Sequence, residues 1–532
     1  MNARLRRLLL LVLALCAGCR GIGPAGNASL CILHTSDVHG HIVPERVAGW
    51  NERLGGSAVL AGCVNAIRED NNRKSVPTLL LDAGDFYLGT PEGDISKGSA
   101  LIELMNVVGY DALAVGNHDW DGGVSNLMAL AERADFPFLA ANVINPETGA
   151  PPGFLHAHII KKCGPLRVGV IGITLEDSTP QELPGGKGRI VCAAPEEYVR
   201  ESLEELRHAG VNCTILVSHL GLLADKKIAR EVDGLDVILG GHNHVILKSP
   251  FRSSDSGTLI CHAGSYGKYL GKLDLATSPR TGRAGKYRYE LIPLVEGRCP
   301  PDAAAGAVVD KWRSVTGKRF DEVIGYSESD FFKDREGVAM LGEMIADGMR
   351  EATGAPISFN QRHGIRGPLL KGTIRYRDAY TILPFDDTLW TVALTGAQIR
   401  EILEKVLSFR RPDNLRFSGL TVEYDPASPG GRKIVTVKCG GSDMRDDETY
   451  RVAVNTYLVK WGFINTLVAK GRDLVDTRII ARDMLRDYFR AHSPLSEKAF
   501  HTPRLVAIEK VAATGTKTPG LAARTEAPER DE

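Results

Sequence analysis

One pairing recurs along this chain and restricts its fold more than any other feature. A short apolar run ends, and an Asp, Asn or His follows among glycines or polar residues. It occurs at Ser36 to His41 (S-D-V-H-G-H), Gly84-Asp85, Gly116 to Asp121 (G-N-H-D-W-D), Ser218 to Gly221 (S-H-L-G) and Gly240 to His244 (G-G-H-N-H). The runs Leu30–His34, Thr78–Leu81, Ala112–Val115, Arg167–Gly172, Cys213–Val217 and Val237–Leu239 are short and almost continuously apolar. That is the pattern of strands buried on both faces. Amphipathic stretches lie between them: Ser57–Glu69, Ser99–Val108, Val124–Ala134 and Pro195–Ala209. The last begins with Pro and is followed by Gly210, the usual start and stop asymmetry of a helix. Strand–helix alternation predicts an α/β layered domain over residues 29–296. Such domains present ligands at the carboxyl ends of their strands. Thr258–His262 and Gly271–Leu275 read as consecutive strands with no helix between, so part of the sheet is expected to be antiparallel.

The side chains at these strand ends are carboxylate, amide and imidazole. Asp37 and His39 form a D-x-H pair. Strand alternation points residues i and i+2 the same way if the backbone stays extended. Asp85 has two oxygens with which to bridge two ions, Asn117 offers an amide oxygen and His219 an imidazole. His242 and His244 stand i, i+2 after a Gly-Gly pair. A mixed oxygen and nitrogen set, without the paired cysteines of a structural zinc site, suits two divalent ions of the Zn, Mn, Fe or Co type. Two close ions point to phosphoester hydrolysis. Each string alone reads as a turn with solvated or capping side chains. Together, each at a strand end, they form a set. Eleven of the 14 histidines precede residue 300, which places the chemistry in the first domain. His156, His158 and His208 lack this setting and read as surface or packing residues.

Composition excludes one class. With 65 Lys+Arg against 65 Asp+Glu there is no excess basic charge, so stable nucleic-acid binding is not expected. Arg4, Arg6 and Arg7 precede the apolar stretch Leu8–Leu15, and Ala17-Gly18-Cys19 follows. A basic start, a short apolar core and small residues make a secretory signal. Ala17-Gly18-Cys19 resembles the bacterial lipobox, with Cys16 where Leu is usual. Residues 1–19 are thus expected to act as a lipoprotein signal cleaved before Cys19. The acylated cysteine would anchor the protein at the bacterial cell envelope, facing the periplasm or exterior. Ordinary cleavage near Ala28 is the competing reading. Eight of the ten cysteines lie beyond this region, and an exported chain permits disulfides among them. Cys31, Cys213 and Cys261 sit inside apolar runs and read as small buried hydrophobes. Residues 297–337 read as a connecting segment with a helix near Lys311–Phe320. A second domain of mixed strands and helices is expected over 338–510, opening with a helix at Met340–Thr353. Residues 511–532 lack periodicity and read as disordered.

In this order the strings resemble the 5′-nucleotidase family of the calcineurin-like metallophosphoesterase superfamily. Leu33 to Gly40, Gly84 to Thr90, Gly116 to Asp121, Ser218 to Gly221 and Gly240 to His244 are similar to its five blocks, and Ala263 to Gly271 continues the last. The resemblance covers most of residues 30–510. It implies a four-layer α-β-β-α N-terminal domain and an α+β C-terminal substrate-binding domain. One ion would be held by Asp37, His39, Asp85 and His244, the other by Asp85, Asn117, His219 and His242. Two such ions about 4 Å apart activate water and polarise phosphoryl oxygens. His118 would face the phosphate and help the leaving oxygen depart. Asp121 would orient His118, with Asp119 as the competing partner.

The second domain carries weaker blocks. Asn360 to Arg366 resembles the family's N-G-G-G-I-R, and Thr381 to Asp387 its V-x-P-F block. The resemblance makes Arg366 a substrate-binding guanidinium and Phe385 and Tyr457 two stacking rings, roles their chemistry suits. The competing reading makes Phe385 a core residue and Arg366 a surface ion-pair partner. The family's N-x-F/Y-L-x-x-G-G-D-G-F/Y loop stands here as Asn455 to Phe463 without its Gly-Gly-Asp-Gly, so the family's ribose-contacting Asp has no counterpart. The expected substrate is a phosphorylated small molecule, a nucleotide by the resemblance. Alternatives are a 2′,3′-cyclic nucleotide, a nucleotide sugar, a sulfur ester, or capture of a phosphorylated ligand without turnover.

Overall fold

The computed structural model describes residues 28–184, 188–277, 284–333, 340–409, 414–462, 464–500 and 504–508. The expected signal with Cys19 and the expected tail 511–532 lie outside the described residues. The chain forms two compact units, divided between Ser314 and Val315, with Gly89–Pro91 counted in the second.

The first unit contains two six-stranded sheets. One runs in the order Ala284–Pro293, Tyr269–Thr277, Ala28–Thr35, Thr78–Asp82, Ala112–Ala114, Phe138–Leu139. The other runs Phe251–Arg252, Leu259–His262, Val237–Gly240, Cys213–Ser218, Leu166–Ile173, His158–Cys163. The strands that precede the polar strings are parallel to their neighbours. Tyr269–Thr277 is antiparallel to Ala28–Thr35. Leu259–His262 and Tyr269–Thr277 do follow one another without a helix, but they belong to different sheets. The turn between them carries the chain from one sheet to the other.

Strand alternation sorts the apolar side chains into layers. Leu30 and Ile32 join Val168, Val170, Ile215, Val217 and Leu239 in a core between the sheets. Their neighbours Cys31 and Leu33 point the other way, onto Val59, Val64, Leu101 and Leu104 of helices Ser57–Arg73 and Ser99–Val108. On the far side, Ile171, Leu216, Ile238 and Ile260 pack against Val199, Leu206 and Ile228 of helices Pro195–His208 and Leu222–Glu231. This is the four-layer α-β-β-α arrangement, and burial of both faces is why the runs read as continuously apolar. Burying one such side chain stabilises the fold by roughly 1.5–3 kcal/mol. Cys63 and Cys299 form a disulfide that ties helix Ser57–Arg73 to the segment before helix Ala303–Phe320. Cys31, Cys213 and Cys261 are free and buried, as their runs predicted. Burial pushes the Cys31 thiol up to about 12, so it packs as an inert hydrophobe.

The second unit is mixed α+β. Its five-stranded sheet runs Leu415–Ser418, Ile357–Gln361, Thr449–Asn455, Thr388–Thr395, Arg472–Ile480. Val392, Leu394, Val452 and Val454 of this sheet pack on Ile399, Ile402, Leu403 and Val406 of helix Gly396–Leu407. Thr395 caps that helix with Gln398 in a reciprocal box. Helix Met340–Thr353 spans the residues its apolar spacing predicted. Among the described residues no helix is long and apolar enough to cross a membrane.

Candidate active site

Sheet register brings the strings together. Thr35 lies opposite Asp82 and Asp82 opposite Leu113, so three strands of the first sheet end together. Ser218, Gly240 and His262 likewise share a line across the second sheet. The polar strings are the turns that follow. Their backbone is not extended, as the D-x-H reading required. Asp37 (φ 51°), His39 (φ 50°), Asp85 (φ 55°), His242 (φ 77°), His244 (φ 59°) and Tyr266 (φ 63°) all adopt the left-handed region. That conformation costs roughly 1–2 kcal/mol per non-glycine residue, and such strain persists only where the surroundings over-determine it. Here backbone hydrogen bonds do so. Asp37 N donates to Gly84 O (2.8 Å), His39 N to Asp85 O (2.9 Å), Gly40 N to Phe86 O (3.0 Å) and Tyr266 N to Asp37 O (2.7 Å). The glycines are steric necessities: a Cβ at Gly116 would overlap the Asp85 side chain, and one at Gly84 would collide with the backbone at Gly116.

All seven predicted ligand residues converge in the first unit. Ligand atoms of Asp37, His39 and His244 lie within 4.8 Å of one another, and so do those of Asp37, Asp85 and His219. Asp85 Oδ2 stands 3.1 Å from His219 Nε2 and 3.7 Å from His39 Nε2, between the two imidazoles. His39 Nε2 is 3.1 Å from His244 Nε2, and Asn117 Oδ1 is 3.0 Å from His242 Nδ1. The family resemblance assigns Asp37 to one ion; the geometry puts its carboxylate in reach of both groups. The donor set fits divalent ions on a structural observation. Asp37 Oδ2 is buried without a hydrogen-bond partner, a costly state that a cation would relieve, and His219 Nε2 faces the Asp85 carboxylate beside it. The far nitrogens are already committed: His39 Nδ1 donates to Leu88 O (2.7 Å) and His219 Nδ1 to Ala83 O (2.5 Å). That fixes each ring with its Nε2 lone pair toward the cluster.

Charge in the cluster is strongly coupled. Burial raises the Asp37 carboxyl to about 7, with Asp85 adding to the rise. Burial also opposes the Asp85 charge, yet His219, His118 and His39 hold its carboxyl well below the usual range. For His219, burial disfavours the cation, but Asp85 and Asp37 outweigh it and push the imidazole up to about 10. Metal binding at such a site displaces protons.

His118 borders this cluster, its ring centroid 5.7 Å from that of His39. His118 Nδ1 lies 2.7 Å from Asp121 Oδ2. This decides between the two carboxylates. Asp119 is instead fully buried and accepts hydrogen bonds from Gly116 N, Asp85 N and Phe86 N, bracing two ligand loops. Two further groups escaped the sequence reading. Asp82 accepts from Thr35 Oγ1 and Gly84 N beneath the first loops. Tyr266 packs its ring beside His244 and His39, at centroid distances of 5.2 and 5.8 Å. The signal for Asp82 was its position at a strand end, and that for Tyr266 was its place in the block Ala263 to Gly271.

In the second unit the Arg366 guanidinium lies 5.5 Å from the Phe385 ring centroid. Phe385 is half-buried rather than a core residue. Its loop is pinned by Arg482, which donates to Pro384 O (2.9 Å) and Asp386 Oδ1 (2.5 Å) and stacks on Tyr380. Asn455 links the two ring-bearing segments: its Nδ2 donates to Asp387 Oδ2 (3.2 Å), and its Oδ1 accepts from Leu458 N, capping the short helix Thr456–Lys460. That helix carries Tyr457, 37% exposed, and Trp461 follows at 66%.

Two family models match the chain. The calcineurin-like phosphoesterase family model matches residues 31–246, which hold all seven ligand residues, His118 and Asp121. The 5′-nucleotidase C-terminal domain model matches residues 323–467, which hold Arg366, Phe385 and Tyr457. The chain thus carries a calcineurin-like phosphoesterase domain followed by a 5′-nucleotidase C-terminal domain, the two domains of the 5′-nucleotidase family. It is 28% identical to the trifunctional nucleotide phosphoesterase protein of Bacillus subtilis, over 86% of this chain and 34% of that one. It therefore spans only about a third of that relative's length. It is 26% identical to the 5′-nucleotidase of Vibrio vulnificus, over 88% of this chain and 92% of that one. The solved structure of a 5′-nucleotidase precursor from Thermus thermophilus matches at a TM-score of 0.77 and 26% identity, covering 91% of this chain and 100% of that one.

Proposed function

We propose that this chain is a dimetal phosphohydrolase that releases phosphate from nucleotides at the bacterial cell envelope. The observation that carries the proposal is the convergence of Asp37, His39, Asp85, His219 and His244 about Asp37 Oδ2, a buried ligand atom without a hydrogen-bond partner. Two divalent ions (Zn, Mn, Fe or Co) bound by Asp37, His39, Asp85, Asn117, His219, His242 and His244 would supply an activated water and neutralise phosphoryl charge. His118 supplies the remaining chemistry. Asp121 Oδ2 accepts a 2.7 Å hydrogen bond from its Nδ1–H, which orients the ring and leaves Nε2 to stabilise the departing oxygen. A ligand-capturing lipoprotein would need no such pair. Arg366, Phe385 and Tyr457 of the second unit contribute substrate binding by their own chemistry, the guanidinium for anionic groups and the rings for a base. The leader with its basic start and Cys19 supports export and a lipid anchor.

The missing Gly-Gly-Asp-Gly favours a second reading of the substrate, as a phosphoester or sulfur ester held without a ribose carboxylate. Both are tested by purified protein loaded with Mn²⁺, Zn²⁺ or Co²⁺. The assay set is an aryl phosphate, nucleoside monophosphates, cyclic nucleotides and nucleotide sugars. Preference for nucleoside monophosphates is expected. Hydrolysis of none of them with any ion would overturn the enzymatic reading, and preference for a non-nucleotide would overturn the substrate.

A further inference from the structure

Behind the ligands of the second sheet lies a buried polar network that takes no part in the chemistry above. Asp225, in the first turn of helix Leu222–Glu231, is fully buried. Its Oδ1 accepts from Ser218 Oγ at 2.5 Å, and its Oδ2 lies 2.8 Å from His262 Nε2, which donates to it. Ser218 and His262 are buried as well. These residues stand on strands either side of Gly240, on the register line Ser218, Gly240, His262. Gly240 lies directly over the pair: a Cβ there would overlap both the His262 ring and the Asp225 carboxylate. One carboxylate therefore pins three adjacent strand ends. His219 follows the first, and His242 and His244 follow the second.

The same helix grips the G-G-H-N-H turn at a second point. Asn243, between the two histidines, accepts from Leu222 N at 3.1 Å through Oδ1. Gly221 (φ 86°) has to be glycine here, because a Cβ would overlap the Asn243 side chain. Gly241 N closes the turn on Ser218 O at 2.9 Å. Helix Leu222–Glu231 thus holds both loops that carry His219, His242 and His244.

We infer that Asp225 is a positioning residue for the metal centre, acting through Ser218, Gly240 and His262 to set where His219 and His242 stand. A buried carboxylate needs donors, and Ser218 and His262 supply them from the two flanking strands. Residues that hold metal ligands in place typically change metal affinity by 10- to 100-fold when replaced. The inference rests on the metal reading above, and the test separates the two.

The full chain, stripped of metal, is titrated with Co²⁺ alone and followed by its visible absorption and by competition with a chelator. Failure of the unaltered protein to bind Co²⁺ removes the metal reading and the inference with it. Given two bound equivalents, Asp225→Asn and His262→Leu are expected to weaken one of them by about 10- to 100-fold and shift its absorption bands, with a smaller effect on the other. His262→Gln, whose amide can still donate to Asp225, is expected to restore unaltered binding. Ser218→Ala, which removes a single hydroxyl, gives the same test in a variant least prone to misfold. Two Co²⁺ equivalents of unaltered affinity and spectrum in Asp225→Asn, His262→Leu and Ser218→Ala would overturn the inference. So would equal loss of both equivalents with no rescue by His262→Gln.

Discussion

The ligand loops of the first unit and the ring-bearing segments of the second are built by opposite rules. Asp37, Asp85 and His219 are at most 1% exposed, and their loops are locked to one another by backbone hydrogen bonds, glycine contacts and buried carboxylates. Tyr457 is about a third exposed on a short helix, and Trp461, the residue that ends it, stands largely in solvent. The difference teaches where this protein tolerates change. The residues proposed to hold a cation sit in a strained backbone with little freedom. The residues proposed to select a substrate rest on a simpler support, and there the loop of the family that the sequence resembles has been rewritten.

The sharpest way to break this contrast is at Asp85. Asp85→Ala is expected to abolish turnover and to lower bound metal, measured by elemental analysis beside the activity assay; near-normal activity would remove Asp85 from the centre. Next is His118→Ala, expected to reduce kcat by about 10²- to 10⁴-fold with both ions retained. Turnover of the metal-loaded variant checks it, and unchanged kcat would end the leaving-group role. A smaller effect is expected at Phe385. Stacking of a base on one ring contributes about 1–3 kcal/mol, so Phe385→Ala is expected to raise KM for a nucleotide by roughly 5- to 150-fold. Its KM for a simple aryl phosphate should move little, and equal change in both would show that the ring supports the fold instead. The smallest effect is expected at Trp461. As an exposed residue, its replacement by Ala is expected to change stability by less than about 0.5 kcal/mol, read from denaturant unfolding. A marked rise in nucleotide KM for Trp461→Ala would extend the ring surface beyond Phe385 and Tyr457.

Much of the first unit was legible because burial on two faces leaves continuous apolar runs, and all of them but Arg167–Gly172 end just before a candidate ligand. Leu30–His34 before Asp37 and Cys213–Val217 before His219 are plain in the chain. The backbone of those ligands was not legible. Alternation predicted an extended Asp37-Val38-His39, whereas both ends lie in the left-handed region, held by Gly84 O and Asp85 O from a loop more than forty residues away. The partner of His118 was open for a similar reason: Asp119 and Asp121 are equally near in sequence, and only the packing of Asp119 beneath Gly116, Asp85 and Phe86 separates them. In the second unit, Arg366 and Phe385 were found by their blocks, but Arg482, which pins the Phe385 loop, lies almost a hundred residues downstream.

The sequence by itself determined the set of candidate ligand residues, the layered α/β plan and the class of ester chemistry that was proposed. Residue type and apolar period are local properties, and they survive without knowledge of neighbours. Tertiary structure alone decided which atoms are shared, which carboxylate serves His118, that Cys63 pairs with Cys299, and that Asp225 joins Ser218 to His262 under Gly240. Those are contacts between residues distant along the chain or equivalent within it. Strand register and burial choose among them, and neither is written in any single stretch of residues.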